Sequence, residues 1–167
     1  AAAINPSIEL RNEAIAHLAL LDFEPTDIAW TNTPGLARAT IDPKLSRLLE
    51  GDAEGTIQLR SLNQSAPTTQ LRNTNGFVYL AEFDNGARQL AVVYSNTALT
   101  VWDLDSRAQK FTRPAVAWIG FDPRGELLAA AGYDRWLRIL NPTSGTEIAG
   151  IELTAPVRLG AFDSSGL

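Results

Sequence analysis

The chain has 167 residues, 45% of them hydrophobic and 20% charged, so it can bury a core and lacks the composition of a disordered segment. Its net charge of −5 argues against a nucleic-acid partner, and with no cysteine and one histidine, His17, it has neither a disulfide nor a cluster of histidine ligands. No apolar run is long enough to cross a bilayer and no signal peptide is visible, so we expect a cytoplasmic location without direct membrane contact. A membrane-anchored parent protein remains an alternative.

The first predicted element is a short α-helix in an N-terminal segment that, with its linker, covers residues 1–25. Asn5 and Pro6 form a favourable N-cap and first helical residue, and apolar residues then recur at helical spacing as far as Leu21. Pro25 lies in the acidic stretch that follows the helix. This pattern predicts one helix and a linker ahead of the main domain.

A repeated pattern occupies most of the remaining residues, 26–167. Four acidic residues follow an aromatic or β-branched residue, and they are 42, 38 and 41 positions apart. A leucine lies six residues after each of the first three acids, and short alternating apolar stretches follow further along. Short strands that repeat about every 40 residues are typical of four-stranded β-propeller blades. The four acids are Asp42, Asp84, Asp122 and Asp163.

The repeat predicts an all-β fold with three complete blades and the start of a fourth. The predicted blades cover about residues 35–72, 77–112 and 115–153, and the fourth begins within about 156–167. Closed propellers have about four to eight blades, so these blades make an incomplete ring. The chain also lacks methionine, and its ends resemble cuts through a longer polypeptide. We therefore expect the other blades to come from the same parent chain or from other copies.

Residues 115–145 resemble a WD-repeat unit along their whole length. Residues 78–106 contain Trp102-Asp103 where that family ends its third strand, and residues 35–65 match more loosely, with Arg60-Ser61 at this position. The Gly-His pair that often precedes such a unit is absent, so the buried hydrogen-bond network of many members cannot be complete. The resemblance implies a non-catalytic protein-interaction or sensor module.

The N-terminal string from Asn5 to Ala16 resembles the junction that precedes the WD-repeat region of large bacterial serine/threonine protein kinases. The acidic linker and Trp30 follow it in the order found there. Related multidomain signalling ATPases with WD repeats remain an alternative. These residues contain no kinase motif, so any such chemistry lies outside them. The stretch Ile28–Trp30 is predicted to be an outer strand that completes the last blade of a closed ring.

The repeated acids are predicted to cap turns. They occupy the same place in every repeat, and short carboxylate side chains bond readily to nearby backbone N–H groups. A further acid, between the second and third strands of the third blade, is assigned the same role. We therefore predict no catalytic residue, no metal and no cofactor. The structural turn residues are Asp42, Asp84, Asp122, Asp134 and Asp163.

One face of the blades is predicted to contact a protein partner. In blades of this type the start of the first strand and the turn between the second and third strands open on the same face. Trp118 and Trp136 could be exposed recognition anchors, since tryptophan is enriched in binding hot spots, or core aromatic residues. The candidate contact residues are Tyr79, Ser95, Trp118, Tyr133 and Arg158.

Two other functions remain open from the sequence. A small-molecule-processing propeller enzyme would need acids or histidines clustered at the ends of the inner strands, and the inner-strand stretches such as Val78–Leu80 lack them. A purely structural repeat array would bind nothing, and an exposed aromatic patch near Trp118 and Tyr133 would count against it.

Overall fold

The computed structural model describes residues 35–62, 67–155 and Phe162. They all belong to the second of two units into which the chain divides, Asn32–Leu167. Several predicted features lie outside the described residues. They are the N-terminal helix, the strand at Ile28–Trp30, Arg158 and Asp163.

The described residues form twelve strands and no helix, arranged as three antiparallel sheets of four strands each. In every sheet the strands are neighbours in the order in which they follow one another along the chain. The predicted all-β fold of WD-repeat-like blades is thereby confirmed. Blade 1 consists of β1 (Leu36–Ile41), β2 (Arg47–Asp52), β3 (Thr56–Ser61) and β4 (Pro67–Arg72).

The other two sheets repeat this design. All three share a register irregularity at the same step of the third strand, for example between Val101 and Trp102 in blade 2. Blade 2 consists of β5 (Val78–Phe83), β6 (Gln89–Tyr94), β7 (Leu99–Asp103) and β8 (Gln109–Arg113). Blade 3 consists of β9 (Trp118–Phe121), β10 (Leu128–Ala131), β11 (Trp136–Leu140) and β12 (Glu147–Glu152).

A buried aspartate organises the turn between the first and second strands of each blade. Asp42, Asp84 and Asp122 are at most 5% exposed. One carboxylate oxygen of each accepts the backbone N–H groups four and five residues later, at 2.7 to 2.9 Å. The residue three places after each aspartate has positive φ, including the non-glycine residues Leu45 and Ala87. The carboxylate therefore fixes a turn whose backbone would otherwise be unfavourable.

The blades pack face to face in chain order, with their inner strands β1, β5 and β9 in contact. Side chains of the middle strands alternate between the two faces, so they fill the space between neighbouring blades. One apolar cluster joins blade 1 to blade 2 through Leu49 and Val92, and another joins blade 2 to blade 3 through Val93 and Ala130. This serial packing explains why the second strands are buried on both faces.

Blade 1 departs from the repeat on the face that points away from blade 2. In the register of the repeated aspartates, Glu50 and Arg60 occupy the positions of the apolar residues Val92 and Trp102 in blade 2. Their side chains form an ion pair at 3.0 Å and are 8% and 16% exposed. This face of blade 1 therefore has a charged pair where the corresponding face of blade 2 is apolar. Replacement of a buried ion pair by well-packed apolar residues is often neutral or stabilising, so the pair is not needed for a stable blade.

Candidate functional site

Three aromatic side chains lie largely exposed around one cleft. Phe77, Tyr79 and Tyr133 are 43%, 56% and 67% exposed. The cleft has a volume of about 220 Å³. We call it the aromatic cleft. Its remaining lining residues are Val93, Tyr94, Ser95, Thr97, Val116 and Ala117.

The turn between β6 and β7 forms part of the aromatic cleft, and it is hydrogen-bonded to the loops that precede β5 and β9. The Ser95 N–H donates to the Phe77 carbonyl at 2.9 Å, and the Val116 N–H donates to the Thr97 carbonyl at 2.9 Å. Within the turn, the Thr97 N–H donates to the Tyr94 carbonyl at 2.9 Å. These bonds connect the loops that precede β5 and β9 to one turn, so the cleft is pre-organised.

Tyr79 reaches the cleft because β5 contains an extra residue. Val78 pairs with Tyr94 and Leu80 with Val93, so Tyr79 has no partner of its own in the β5–β6 ladder. Bulges of this kind commonly redirect a side chain at the edge of a sheet. The irregularity therefore turns the Tyr79 ring away from the blade interface and leaves it accessible.

Phe77 reaches the cleft because a glycine precedes it. Gly76 has a φ of +86°, and a Cβ atom there would collide with the Ser95 hydroxyl. Beside this contact, the Asn96 amide donates to the Asn75 side-chain carbonyl at 3.1 Å. Gly76 thus lets the loop before β5 approach the β6–β7 turn, and it places Phe77 next to that turn.

Tyr133 lies on the corresponding turn of blade 3, between β10 and β11. The carboxylate of Asp134 accepts the Trp136 N–H at 3.1 Å and forms an ion pair with Arg138. Hydrogen bonding by Arg138 is the main cause that lowers the pKa of Asp134. The turn beneath Tyr133 is therefore stabilised by a carboxylate that stays charged at neutral pH.

The lining of the aromatic cleft is uncharged. None of its lining residues has a side chain that is charged at neutral pH, and burial raises the pKa of the Tyr94 hydroxyl to about 12. The nearest charges in the sequence, Asp134 and Arg135, follow Tyr133 but do not line the cleft. The site can offer aromatic faces and neutral hydroxyl groups, and it has no described group for acid–base chemistry.

The structure brings Tyr79, Ser95 and Tyr133 together at this cleft, whereas Trp118 does not line it. Trp118 is 8% exposed and packs with Ala129 and Ala131 in blade 3. Its ring occupies the space that Gly120 leaves free, because a Cβ atom at that glycine would lie 2.8 Å from the indole.

The sequence analysis does not select Phe77 as a contact residue, although the Asn75-Gly76 turn signal directly before it indicates a loop at this position. The other candidate tryptophan, Trp136, is 37% exposed on β11.

A second, larger cleft of about 590 Å³ shares Tyr79 and Ala117 with the aromatic cleft. Its lining also includes Arg38, Glu82 and Trp118. Burial raises the pKa of the Glu82 carboxyl, partly offset by a hydrogen bond from the Phe121 N–H. That bond, 2.9 Å to Glu82 Oε1, connects β5 to β9. Glu82 therefore joins the inner strands of two blades.

Among residues 35–62 and 67–155 and Phe162, no group of three or more histidine, cysteine, aspartate or glutamate side chains could hold a metal ion. In the same part of the chain, no helix has the length and apolar character needed to cross a membrane.

Four-stranded antiparallel blades that stack through their inner strands fit a segment of a WD-repeat propeller. No protein-family model matches the chain. It is similar to a WD-repeat protein of Mus musculus, guanine nucleotide-binding protein subunit beta-like protein 1, with 25% identity over 128 residues. The match covers 72% of this chain and 39% of the mouse protein, so the chain spans well under half of that relative.

Proposed function

We propose that this chain is a non-catalytic protein-interaction module, the propeller portion of a larger bacterial signalling protein, which contacts its partner at the aromatic cleft. The observation that carries the proposal is the group of three exposed aromatic side chains, Phe77, Tyr79 and Tyr133, around one pre-organised cleft. Exposed aromatic groups of this kind mark interaction sites, and tyrosine is enriched among the residues that dominate binding energy.

The position of the cleft also supports this assignment. Tyr79, Ser95 and Tyr133 come from two blades and lie on the face where the repeat predicts partner contacts. Binding residues on loops held by a rigid scaffold are a common arrangement, and the backbone bonds of Ser95 and Thr97 supply that rigidity here. Arg158 remains a predicted contact residue of the same partner, whereas a contact with Trp118 would be made from the larger, neighbouring cleft.

Two resemblances support the wider context. The WD-repeat relative suggests an interaction module rather than an enzyme, and its name likens it to a subunit of a guanine nucleotide-binding protein. The string from Asn5 to Ala16 resembles the junction ahead of the WD repeats in bacterial kinases and signalling ATPases. On this proposal, any catalysis belongs to another part of the parent protein, and the blades need no cofactor.

Selection of binding peptides tests the proposal. Random peptides displayed on phage would be selected on the wild-type chain, and the affinity of the winners measured on the double variant Tyr79→Ser/Tyr133→Ser. We expect the double variant to bind at least about tenfold more weakly, because hot-spot side chains contribute about 2 kcal/mol or more.

Leu45→Ser is the matched control. Leu45 is 72% exposed and lies on the turn between β1 and β2 of blade 1, whereas the cleft is lined by residues 77–133. Its replacement should leave the affinity of the selected peptides unchanged. Selected peptides that bind the double variant as tightly as the wild type would refute the assignment of the cleft.

A further inference from the structure

We propose that the aromatic cleft binds an uncharged, proline-containing segment in the polyproline II conformation. The inference rests on the proposed function, since it names the kind of partner that the same cleft accepts. It is drawn from the charge of the lining, from the backbone groups that are already bonded, and from the hydroxyl groups that surround the cleft.

The charge of the lining favours an uncharged segment. Phe77, Tyr79 and Tyr133 present aromatic rings, and the remaining lining residues add only apolar or hydroxyl-bearing side chains. A charged side chain placed there would lose water without gaining an opposite charge. Proline rings, by contrast, are apolar and pack well on aromatic faces.

The loops that frame the cleft offer few free backbone groups for strand addition. The Ser95 N–H and the Phe77 carbonyl bond to each other, and the Val116 N–H bonds to the Thr97 carbonyl. An added β-strand needs free N–H and C=O groups along the edge to which it pairs. These four groups are already paired, so a partner segment that lies over these loops forms its hydrogen bonds there with side chains.

The hydroxyl groups around the cleft suit a polyproline II backbone. In that conformation the carbonyl groups have no internal partner, and proline has no N–H to satisfy. The hydroxyl groups of Tyr79 and Tyr133, on largely exposed side chains, and that of exposed Ser95 can donate to such carbonyls. The hydroxyl groups of the cleft thus match the free carbonyl groups of the segment, and its proline residues have no N–H group that would need an acceptor.

The size of the cleft disfavours a helical partner. A helix docks with anchors one and two turns apart, which places them over about 10 Å of groove. The cleft of about 220 Å³ is below the usual range for ligand pockets, about 300 to 1,000 Å³. A short extended segment with one or two ring-shaped side chains fits this volume better than a helix face.

Fluorescence anisotropy with two labelled peptides tests the inference. One peptide repeats Ala-Pro-Pro, and its matched control has alanine in place of every proline. We expect saturable binding of the proline peptide and at least about tenfold weaker binding of the alanine peptide. Tyr79→Phe/Tyr133→Phe, which keeps the rings but removes two donors, should weaken the proline peptide severalfold, whereas Leu45→Ser should not.

The outcomes separate this inference from the proposed function. If neither peptide binds, or both bind equally, while phage-selected peptides without proline still depend on Tyr79 and Tyr133, the polyproline inference is wrong and the interaction cleft stands. If no peptide of either kind depends on these tyrosines, both proposals are wrong. A proline peptide that loses binding in Tyr79→Ser/Tyr133→Ser supports both.

Discussion

Buried aspartates stabilise the turns from which the blades are built. Asp42, Asp84 and Asp122 each accept two consecutive backbone N–H groups, and the neighbouring residues Leu45 and Ala87 adopt positive φ. A non-glycine residue in that region costs about 1 to 2 kcal/mol. The same side-chain bonds that satisfy the turn therefore also compensate a backbone conformation that the residue type disfavours.

Replacing Asp84 by alanine should destabilise the fold by about 2 to 3 kcal/mol, because two backbone N–H groups would lose their acceptor. Urea unfolding followed by circular dichroism measures the change. Asp105→Ala, at an exposed position, is the control and should change the free energy of unfolding by less than about 0.5 kcal/mol. An equal effect of the two substitutions would contradict the turn role of Asp84.

Asp42 should make the free energy of unfolding depend on pH in the acid range. Burial raises the pKa of Asp42, but hydrogen bonds from Arg47 and Ser46 outweigh this and hold it below its ordinary value of 3.8. A carboxylate whose pKa is lowered in the folded state stabilises the protein fully at higher pH, and this contribution is lost as pH falls below about 4.

Urea unfolding at a series of pH values measures this dependence, and Asp42→Asn should flatten it in the acid range. The asparagine retains a side-chain acceptor but no longer titrates. Equal slopes for the wild type and the variant below about pH 4 would show that Asp42 does not supply the effect.

At the scale of strands and sheets, the periodicity of the sequence predicts the elements well but not their irregularities. Alternating apolar residues and the repeated aspartates indicate four-stranded blades, and these are found. The extra residue at Tyr79 depends on how β5 pairs with β6, which no single-strand pattern specifies. The burial of Trp118 likewise depends on the space at Gly120, a contact within blade 3 that spacing alone does not reveal.

The distance between blades 1 and 2 is limited by Gly51. A Cβ atom there would lie 2.7 Å from the Val78 Cβ, closer than packed carbon atoms approach. Gly51→Ala should therefore destabilise the fold by about 1 to 3 kcal/mol, the usual cost of overpacking. The free energy of unfolding in urea measures the loss.

A double-mutant cycle with Val78→Ala supplies the control. Val78→Ala keeps the Cβ atom but removes the Cγ2 methyl group, which would also lie 2.7 Å from the new Cβ atom, so the cost of Gly51→Ala should fall in part in that background. Additive effects of the two substitutions would mean that the two residues do not limit the packing of these sheets.

At the scale of the whole molecule, the two ends of the blade series differ. Blade 1 has the Glu50–Arg60 ion pair on the face away from blade 2, whereas blade 3 has Leu137, Ile139 and the exposed Ile151 on the face away from blade 2. Phe162 packs against the latter cluster. The described residues form three blades, whereas a closed ring has about four to eight.

The apolar face of blade 3 leads us to expect self-association of the isolated chain. Light scattering should give a mass that rises above 18.1 kDa with concentration, and Ile151→Lys should lower it by placing a charge on the face. Tyr133→Ser, which alters a different surface, is the control. A monodisperse monomer of 18.1 kDa at all concentrations would contradict this expectation.

The candidate site shows the same division between what repeats predict and what local contacts decide. Tyr79, Ser95 and Tyr133 could be grouped from the sequence, because the repeat places them at one end of successive blades. Phe77 could not, because its position depends on Gly76 lying against Ser95. Periodicity thus predicts the face, and close backbone approaches determine which residues form the cleft.

Cross-linking of a bound peptide shows whether the partner contacts the aromatic cleft. A phage-selected peptide carrying a photo-reactive group would be cross-linked to the wild-type chain, and the labelled residues identified by mass spectrometry. We expect cross-links at Phe77, Tyr79, Ser95 and Tyr133. Cross-links confined to the turns at Asp42, Asp84 and Asp122, with the aromatic cleft unlabelled, would contradict it.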